Sequence, residues 1–449
     1  MDRRHQTWAT SERFVPQRFV RPFVRFTQIE AASGIVLLAA TIVALIWANS
    51  RWSATYFDIL ETHLVIEFGP FHFDETVLHL INDGLMAIFF FVVGLEIKRE
   101  LVLGDLRDRR KATLPVVAAL GGMVLPALLY ILITFDPGGE ALRGWGIPMA
   151  TDIAFAVGVV ALLGPRVPTG AKLFLLTLAI ADDIGAITVI AVFYTEDVSL
   201  TYLALAVGGL ALVRVATTVG IRSLAFYVPI GVLIWFLTLE SGVHATLAGV
   251  ALGFLTPARP MYPAAEFDRR ARAILDSFPE EPDTSESREH ADHEALLLSE
   301  VSSEAVSPLS RLEYRLQTWS SFVVIPIFAL ANAGVDFRGM DIGRALTSDV
   351  ALGVAVGLVV GKTLGVSVFS FIAVKAGLGR LPEQTGWRHI FGLAAVAGIG
   401  FTVALFVTSL AFRDPALTDL AKVGVYAGSL IAGVVGFALL SRAHPTNTS

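Results

Sequence analysis

Cysteine is absent from the 449 residues, which excludes disulfides, thiolate metal sites and a cysteine nucleophile. Charge is scarce as well: Asp, Glu, Lys and Arg make up 16% of the chain, where soluble domains carry about 25%. Too few charged groups remain to cover a wet surface, so a soluble enzyme, a nucleic-acid binder and a disordered protein are all excluded. What fills the chain instead is hydrophobic residues, at 54%, in long uncharged runs that recur from Ile35 to the C-terminus. The composition defines an all-α polytopic membrane protein.

A span needs about 20 mostly apolar residues. Twelve are expected, over 31–49, 77–97, 114–134, 146–164, 172–194, 200–217, 223–239, 242–256, 319–335, 350–374, 389–412 and 420–441. Lys and Arg mark the inner side of such a protein, and the 98–113 loop (KRELVLGDLRDRRKAT) alone carries six. That bias places the N-terminus in the cytoplasm, and an even span count returns the C-terminus to the same side. The organisation expected is an N-terminal cytoplasmic segment over 1–30, spans 1–8 over 31–257, a hydrophilic insertion over 258–310, spans 9–12 over 311–441 and a cytoplasmic tail over 442–449. The first 30 residues are polar and basic with no apolar h-region, so no cleaved secretory signal is read there.

The formal charge of -6 is concentrated in the insertion, which holds 12 acidic and 5 basic residues between Ala258 and Pro308. Its Glu, Asp, Ser and Pro content reads as a solvated acidic linker. His290 and His293 within it lack the third histidine or thiol that a metal site wants, so solvation is the reading there too. The loop after span 1 differs in kind. Val65–Phe68 and Phe71–Asp74 flank Gly69-Pro70, the pattern of an external β-hairpin near 64–74. A lone two-stranded hairpin is marginal in water, which makes a second copy, and hence a homodimer, the expected partner.

The informative residues are the ionisable ones inside spans. Asp152 lies in span 4, Asp182 and Asp183 in span 5 and Lys362 in span 10, with Asp83 and Glu96 in span 2. On insertion scales the four central groups together cost about 10–14 kcal/mol. One Asp–Lys pair that only fixes helix packing would explain two of them, but three carboxylates against one lysine leave acids over. Surplus carboxylates in a low dielectric cannot all ionise at neutral pH, so at least one holds a proton. A group that takes either a proton or a small cation is what an exchanger requires. Neighbouring residues on a helix point about 100° apart, which gives Asp182 and Asp183 different surroundings.

The backbone agrees. Pro148 stands four residues before Asp152, and Gly398-Ile399-Gly400 precedes Thr402 in span 11. Interrupted helices at that depth line a cavity or pack inside protein. Spans 4 and 11 run in opposite directions, each as the middle of a triplet (3-4-5 and 10-11-12), the arrangement of inverted repeats with two discontinuous helices. Asp152 would compensate the facing half-helix N-termini and Lys362 the facing C-termini.

The stretches GLEIKREL (94–101), ATDIAFAVGVVALLG (150–164), LAIADDIGA (178–186), SGVHATLAGV (241–250), FALANAGV (328–335), GKTLGVS (361–367) and GIGFTVALF (398–406) resemble the NhaA family of bacterial Na+/H+ antiporters, in collinear order from about residue 25 to 412. Inverted repeats with interrupted helices are a known property of that family. The resemblance implies an electrogenic exchanger of the bacterial inner membrane. It would export Na+ or Li+ and import protons, two per cation, for pH and sodium homeostasis, with no cofactor and no partner beyond the ions, lipid and a second copy. It implies that Asp183 and Asp182 bind the cation and proton, Asp183 as the primary ligand, with Thr151 and Asp152 at the unwound part of span 4. Lys362 would pair with Asp182 and carry a transported proton. Glu96, Arg99 and Glu100 match a cytoplasmic pH-activation cluster, and His244 falls in a motif linked to pH response.

Two departures limit the transfer. The insertion is longer than the family's compact loop. After it, RLEYRLQTW (311–319) keeps Glu313 but has Tyr314 and Gln317 where the family has histidines. Rival cargoes are K+, which the residues do not separate from Na+, and an organic anion, which would want a positive centre. An intramembrane aspartyl protease needs two facing aspartates sharing a proton and a membrane-embedded GxGD, whereas the one Gly-Asp is Gly104-Asp105 in a loop. A passive channel would have no use for titratable pairs at mid-depth.

Overall fold

The computed structural model describes residues 31–68, 71–135, 139–195, 198–221, 223–279 and 284–443. The N-terminal segment over 1–30, Gly69-Pro70 and residues 444–449 of the tail lie outside the described residues. Among those described, seven helices are long and apolar enough to cross a membrane, and up to nine if each sharply bent pair is one span. The remaining apolar helices are shorter: Leu224–Glu240, Thr246–Leu255 and the stretch from Ser320 to Asn332.

Helix starts follow local chemistry. Asp108 accepts from the Arg110 N–H at the head of Arg109–Ile133, and Asp414 accepts from Ala416 N–H at the head of Pro415–Ser441. Each satisfies a donor that the first turn leaves unpaired. The helix expected from 242 begins only at Thr246, because residues 241–245 form a turn that contains His244. A bend of 109° after Ala32–Ala48 turns Ser53–Glu61 away from the first apolar helix.

Two apolar segments are interrupted. Helical structure lapses over 150–152, between Glu140–Met149 and Ile153–Leu163, and over 397–400, between Trp387–Val396 and Phe401–Ala411. The second break bends its helices by 46°. The first part of the earlier segment is a 3₁₀ helix throughout rather than an α-helix. Arg109–Ile133 and Lys362–Lys375 pack face to face: a Cβ on Gly121 would lie 2.3 Å from the Gly365 carbonyl oxygen, and one on Gly365 2.1 Å from that of Gly121. Only glycine permits that approach, and it carries the neighbouring Lys362 into the interior.

His63–Phe68 runs antiparallel to Phe71–Thr76, in a register that pairs His63 with Thr76 and Phe68 with Phe71. Leu64, Val65 and Ile66 are exposed. The acidic insertion is more ordered than a linker: Ala264–Ser277 and Ser285–Glu304 are helices packed on each other. Glu266 with Arg270 and Asp268 with Arg272 supply acid-before-base pairs four apart, and Thr284 closes a capping box with Ser287. Local pairs of this kind favour helix in a strongly polar segment. His290 faces Glu294, and among the described residues no three His, Cys, Asp or Glu side chains converge as a metal site.

Candidate ion-binding site

The two breaks cross each other in the interior. The Asp152 N–H donates to the Ile399 carbonyl at 2.6 Å, joining residues far apart in the chain through backbone that neither helix uses. The Asp152 side chain then serves both following helices. Its Oδ1 accepts from Phe155 N–H at 3.1 Å, capping Ile153–Leu163. Its Oδ2 accepts from the N–H and hydroxyl of Thr402, at 3.0 and 2.6 Å, in the first turn of Phe401–Ala411. A single carboxylate thus sits at two helix N-termini, where partial positive charge favours an anion.

Thr151 lies on the other side of the crossing. Its hydroxyl oxygen is 2.7 Å from Asp182 Oδ2 and 2.8 Å from the Ala397 carbonyl oxygen. A hydroxyl has one proton to donate, and a carbonyl only accepts, so Thr151 serves one of the two at a time. Lys362 Nζ is 2.5 Å from the same Asp182 Oδ2, and both side chains are 0% exposed. Lys362 is expected at the facing helix C-termini from charge, and beside Asp182 from the family resemblance. Its ion pair is with Asp182, and the carbonyl at the end of Trp387–Val396 is met by Thr151.

Asp183 differs from both other aspartates. It is buried, yet among the described residues it accepts no hydrogen bond and has no ion-pair partner. Its charged neighbours are Asp182, Glu96, Lys362 and Asp152, three of them acidic. Asp182 Oδ1 likewise has no hydrogen-bond partner among the described residues. Unsatisfied carboxylate oxygens in a low dielectric are costly, and here they belong to neighbouring residues of one helix. Two carboxylates with a hydroxyl nearby are hard oxygen donors, suited to a small cation or to protons.

A cavity of about 560 Å³, lined by Glu100, Arg107, Lys111, Leu173, Leu176 and Thr177, opens at the end of the molecule that bears Arg99. Leu173 and Leu176 share a helical stripe with Asp183. At the same end, Arg99 Nη1 is 2.8 Å from Glu313 Oε1 and Nη2 is 3.2 Å from Glu100 Oε1. Glu96 is a charged neighbour of that set and of Asp183. The structure therefore brings Glu96, Arg99 and Glu100 together and adds Glu313, which its place in the 311–319 motif had flagged without assigning a partner. His244 is elsewhere: its Nε2 is 2.8 Å from the carbonyl of Tyr194, just past the far end of Thr169–Phe193. That helix places Tyr194 some 16 Å beyond Asp183 at about 1.5 Å per residue. Asp83 accepts from His79 at 2.8 Å, in a short π-helical turn of its own.

Ionisable side chains held where two interrupted apolar segments cross mark a class: multi-pass membrane transporters, which are not enzymes. Residues 24–440 match the family described as Na+/H+ antiporter 1, and the chain belongs to that family. It is 47% identical to the Na(+)/H(+) antiporter NhaA of Koribacter versatilis over 431 residues, covering 96% of this chain and 93% of that protein. Against the Na(+)/H(+) antiporter NhaA of Rhodopirellula baltica the identity is 46%, covering 96% of each. The protein of the same name in Syntrophobacter fumaroxidans is 45% identical, covering 95% of this chain and 92% of its own.

Proposed function

We propose that the chain is an electrogenic Na+(Li+)/H+ antiporter of the bacterial inner membrane that exports the cation and imports two protons for each one. In this reading its twelve spans form an inverted-repeat antiporter fold with spans 4 and 11 discontinuous. Both termini are cytoplasmic, the Arg99 end faces the cytoplasm and the hairpin end faces out, and two copies pair through the hairpin. Family membership supports sodium/proton exchange. The observation that carries the site is the contrast inside one helix: Asp182 is paired with Lys362, while its neighbour Asp183 is buried without a partner among the described residues.

Exchange follows from competition. At alkaline cytoplasmic pH, Asp183 releases its proton, and Na+ or Li+ binds there beside the already ionised Asp182, with the Thr151 hydroxyl completing the oxygen donors. The cation's charge on Asp182 weakens the hold on Lys362, whose ammonium then yields its own proton more readily. The two triplets rock about the crossing, which Asp152 keeps intact, and protons arriving from outside displace the cation. Proton and cation share one site, so neither crosses uncoupled. Glu96, Arg99, Glu100 and Glu313 tune the cytoplasmic approach to it, and the job of His244 lies on the opposite face.

The test is Na+-dependent proton flux in proteoliposomes, wild type against Asp183→Asn, from mildly acidic to alkaline pH. Wild type is expected to collapse an imposed pH gradient on addition of Na+ or Li+, and the variant to leave it standing. A silent wild type overturns the assignment and makes K+ the next cargo to add. An active variant overturns the site while leaving the family in place.

A further inference from the structure

The 3₁₀ helix Glu140–Met149 runs for 10 residues, far beyond the three or four that such helices usually sustain, because their hydrogen bonds are poorly aligned and their side chains eclipse. Two tyrosines from outside hold it, and its own first residue anchors it. Tyr130 Oη donates to the Ala141 carbonyl at 2.7 Å. Glu140 Oε1 accepts from the N–H groups of Arg413 and Asp414, at 2.7 and 3.2 Å. Tyr194 does the most: its hydroxyl donates to the Arg143 carbonyl at 2.7 Å and accepts from the Gly146 N–H at 3.2 Å. Arg143 and Gly146 are the i and i+3 partners of one 3₁₀ turn, so the hydroxyl bridges the very groups that define it.

The sequence makes room for these contacts. A Cβ on Gly144 would lie 2.3 Å from Tyr130 Oη, and one on Gly146 2.7 Å from Tyr194 Oη. Tyr194 is only 4% exposed, and it terminates Thr169–Phe193, the helix that carries Asp182 and Asp183. The segment it grips ends at Met149, two residues before Thr151, whose hydroxyl meets Asp182. Through Tyr194 the two halves of the ion site are fastened to each other at the hairpin end as well as at the crossing.

We propose that Tyr194 is a positioning residue for cation exchange: its hydroxyl holds Glu140–Met149 in 3₁₀ form against the end of the aspartate helix, fixing Thr151 beside Asp182 and sealing that side of the site. Released, a ten-residue segment that rewinds toward α geometry shortens by about 5 Å, from the difference between 2.0 and 1.5 Å of rise per residue. That movement withdraws Thr151 and opens the interior toward the hairpin end. The inference rests on the exchange reading for its transport readout only.

The experiment uses Tyr194→Phe, which keeps the ring and removes both bonds, in the full chain in proteoliposomes. The apparent KM for Na+ is expected to rise about tenfold, the scale of one or two net hydrogen bonds, with maximal turnover changed far less. A merely structural tyrosine would lower the amount of active protein and leave KM alone. The absence of cysteine allows a second readout, a single thiol at Met149→Cys, which is buried at the end of the segment. A membrane-impermeant maleimide added at the hairpin side should label it several-fold faster with Tyr194→Phe than without. Tyr227→Phe, whose hydroxyl meets Ile221 at an exposed position, should change neither. Should Tyr194→Phe not fold, Gly146→Ala tests the same contact by pressing a methyl on the hydroxyl, and the same two shifts are expected. Unchanged KM and unchanged labelling in an active protein overturn the inference. A wild type silent toward Na+ and Li+ overturns the exchange reading instead, and labelling still decides the clamp.

Discussion

The crossing of the two interrupted segments and the middle of the aspartate helix each bury carboxylates, and they treat them in opposite ways. At the crossing, Asp152 accepts three hydrogen bonds from two helix N-termini. On the aspartate helix, Asp182 relies on one oxygen for Lys362 and Thr151, and Asp183 has no partner among the described residues. Low dielectric raises the stakes in both places. A saturated carboxylate is an anchor, because any rearrangement leaves donors orphaned. An unsaturated one gains from whatever positive ion reaches it.

The largest expected effect breaks the comparison most sharply. Asp183→Asn should reduce Na+-driven proton flux at least about 100-fold, since its carboxylate is the group exchanged, while thermal stability holds or rises because an unpaired buried acid has gone. A variant that loses stability along with flux would mean that Asp183 is an anchor after all. Next comes Lys362→Ala. Removing one partner of a fully buried pair typically costs about 3–5 kcal/mol, read here as a large fall in the thermal transition. Adding Asp182→Asn should restore much of it by removing the stranded charge. No restoration would show that Lys362 acts through packing rather than through the pair.

Asp152→Asn should have the reverse signature to Asp183→Asn. An amide has one accepting oxygen where the carboxylate has two, so either the Phe155 or the Thr402 N–H is left without an acceptor, and stranding a buried donor costs about 1–3 kcal/mol. Stability should fall while part of the exchange survives. Loss of exchange at full stability would move Asp152 from the scaffold into the ion path.

These roles were only partly visible in the chain. Asp152, Asp182, Asp183 and Lys362 stand out because each interrupts an apolar run, and Pro148 and the Gly398–Gly400 stretch announce breaks by backbone chemistry. Such signals are local. That Asp152 would be claimed by Thr402, or Arg99 by Glu313, depends on contacts across more than 200 residues, and no periodicity reports those. The 3₁₀ form of 140–149 was hidden for the same reason, since Tyr130 and Tyr194 impose it from neighbouring helices. The insertion misled differently: its acidity suggested a linker, while its i, i+4 acid–base pairs were already spelling helix.

Glu313 extends the comparison to a third carboxylate, one that is paired but outside the apolar runs. Burial pushes it above the ordinary carboxylate range, against the Arg99 guanidinium, which lowers it, and with Glu100, which adds to the rise. A raised value in the folded state means that the fold binds this proton more readily than the unfolded chain does. Stability therefore declines as pH climbs from the ordinary glutamate value of 4.5 to the raised one, by linkage. Glu313→Gln should flatten that decline, a small effect read as thermal transitions compared across the acidic range. On the transport side, Arg99 faces a neutral partner at a higher pH than with an ordinary glutamate, and the substitution should remove that step from the acid limb of the exchange profile. A decline that persists in the variant would place its source elsewhere, and Glu313 would then join Asp152 as an anchor whose charge does not change in use.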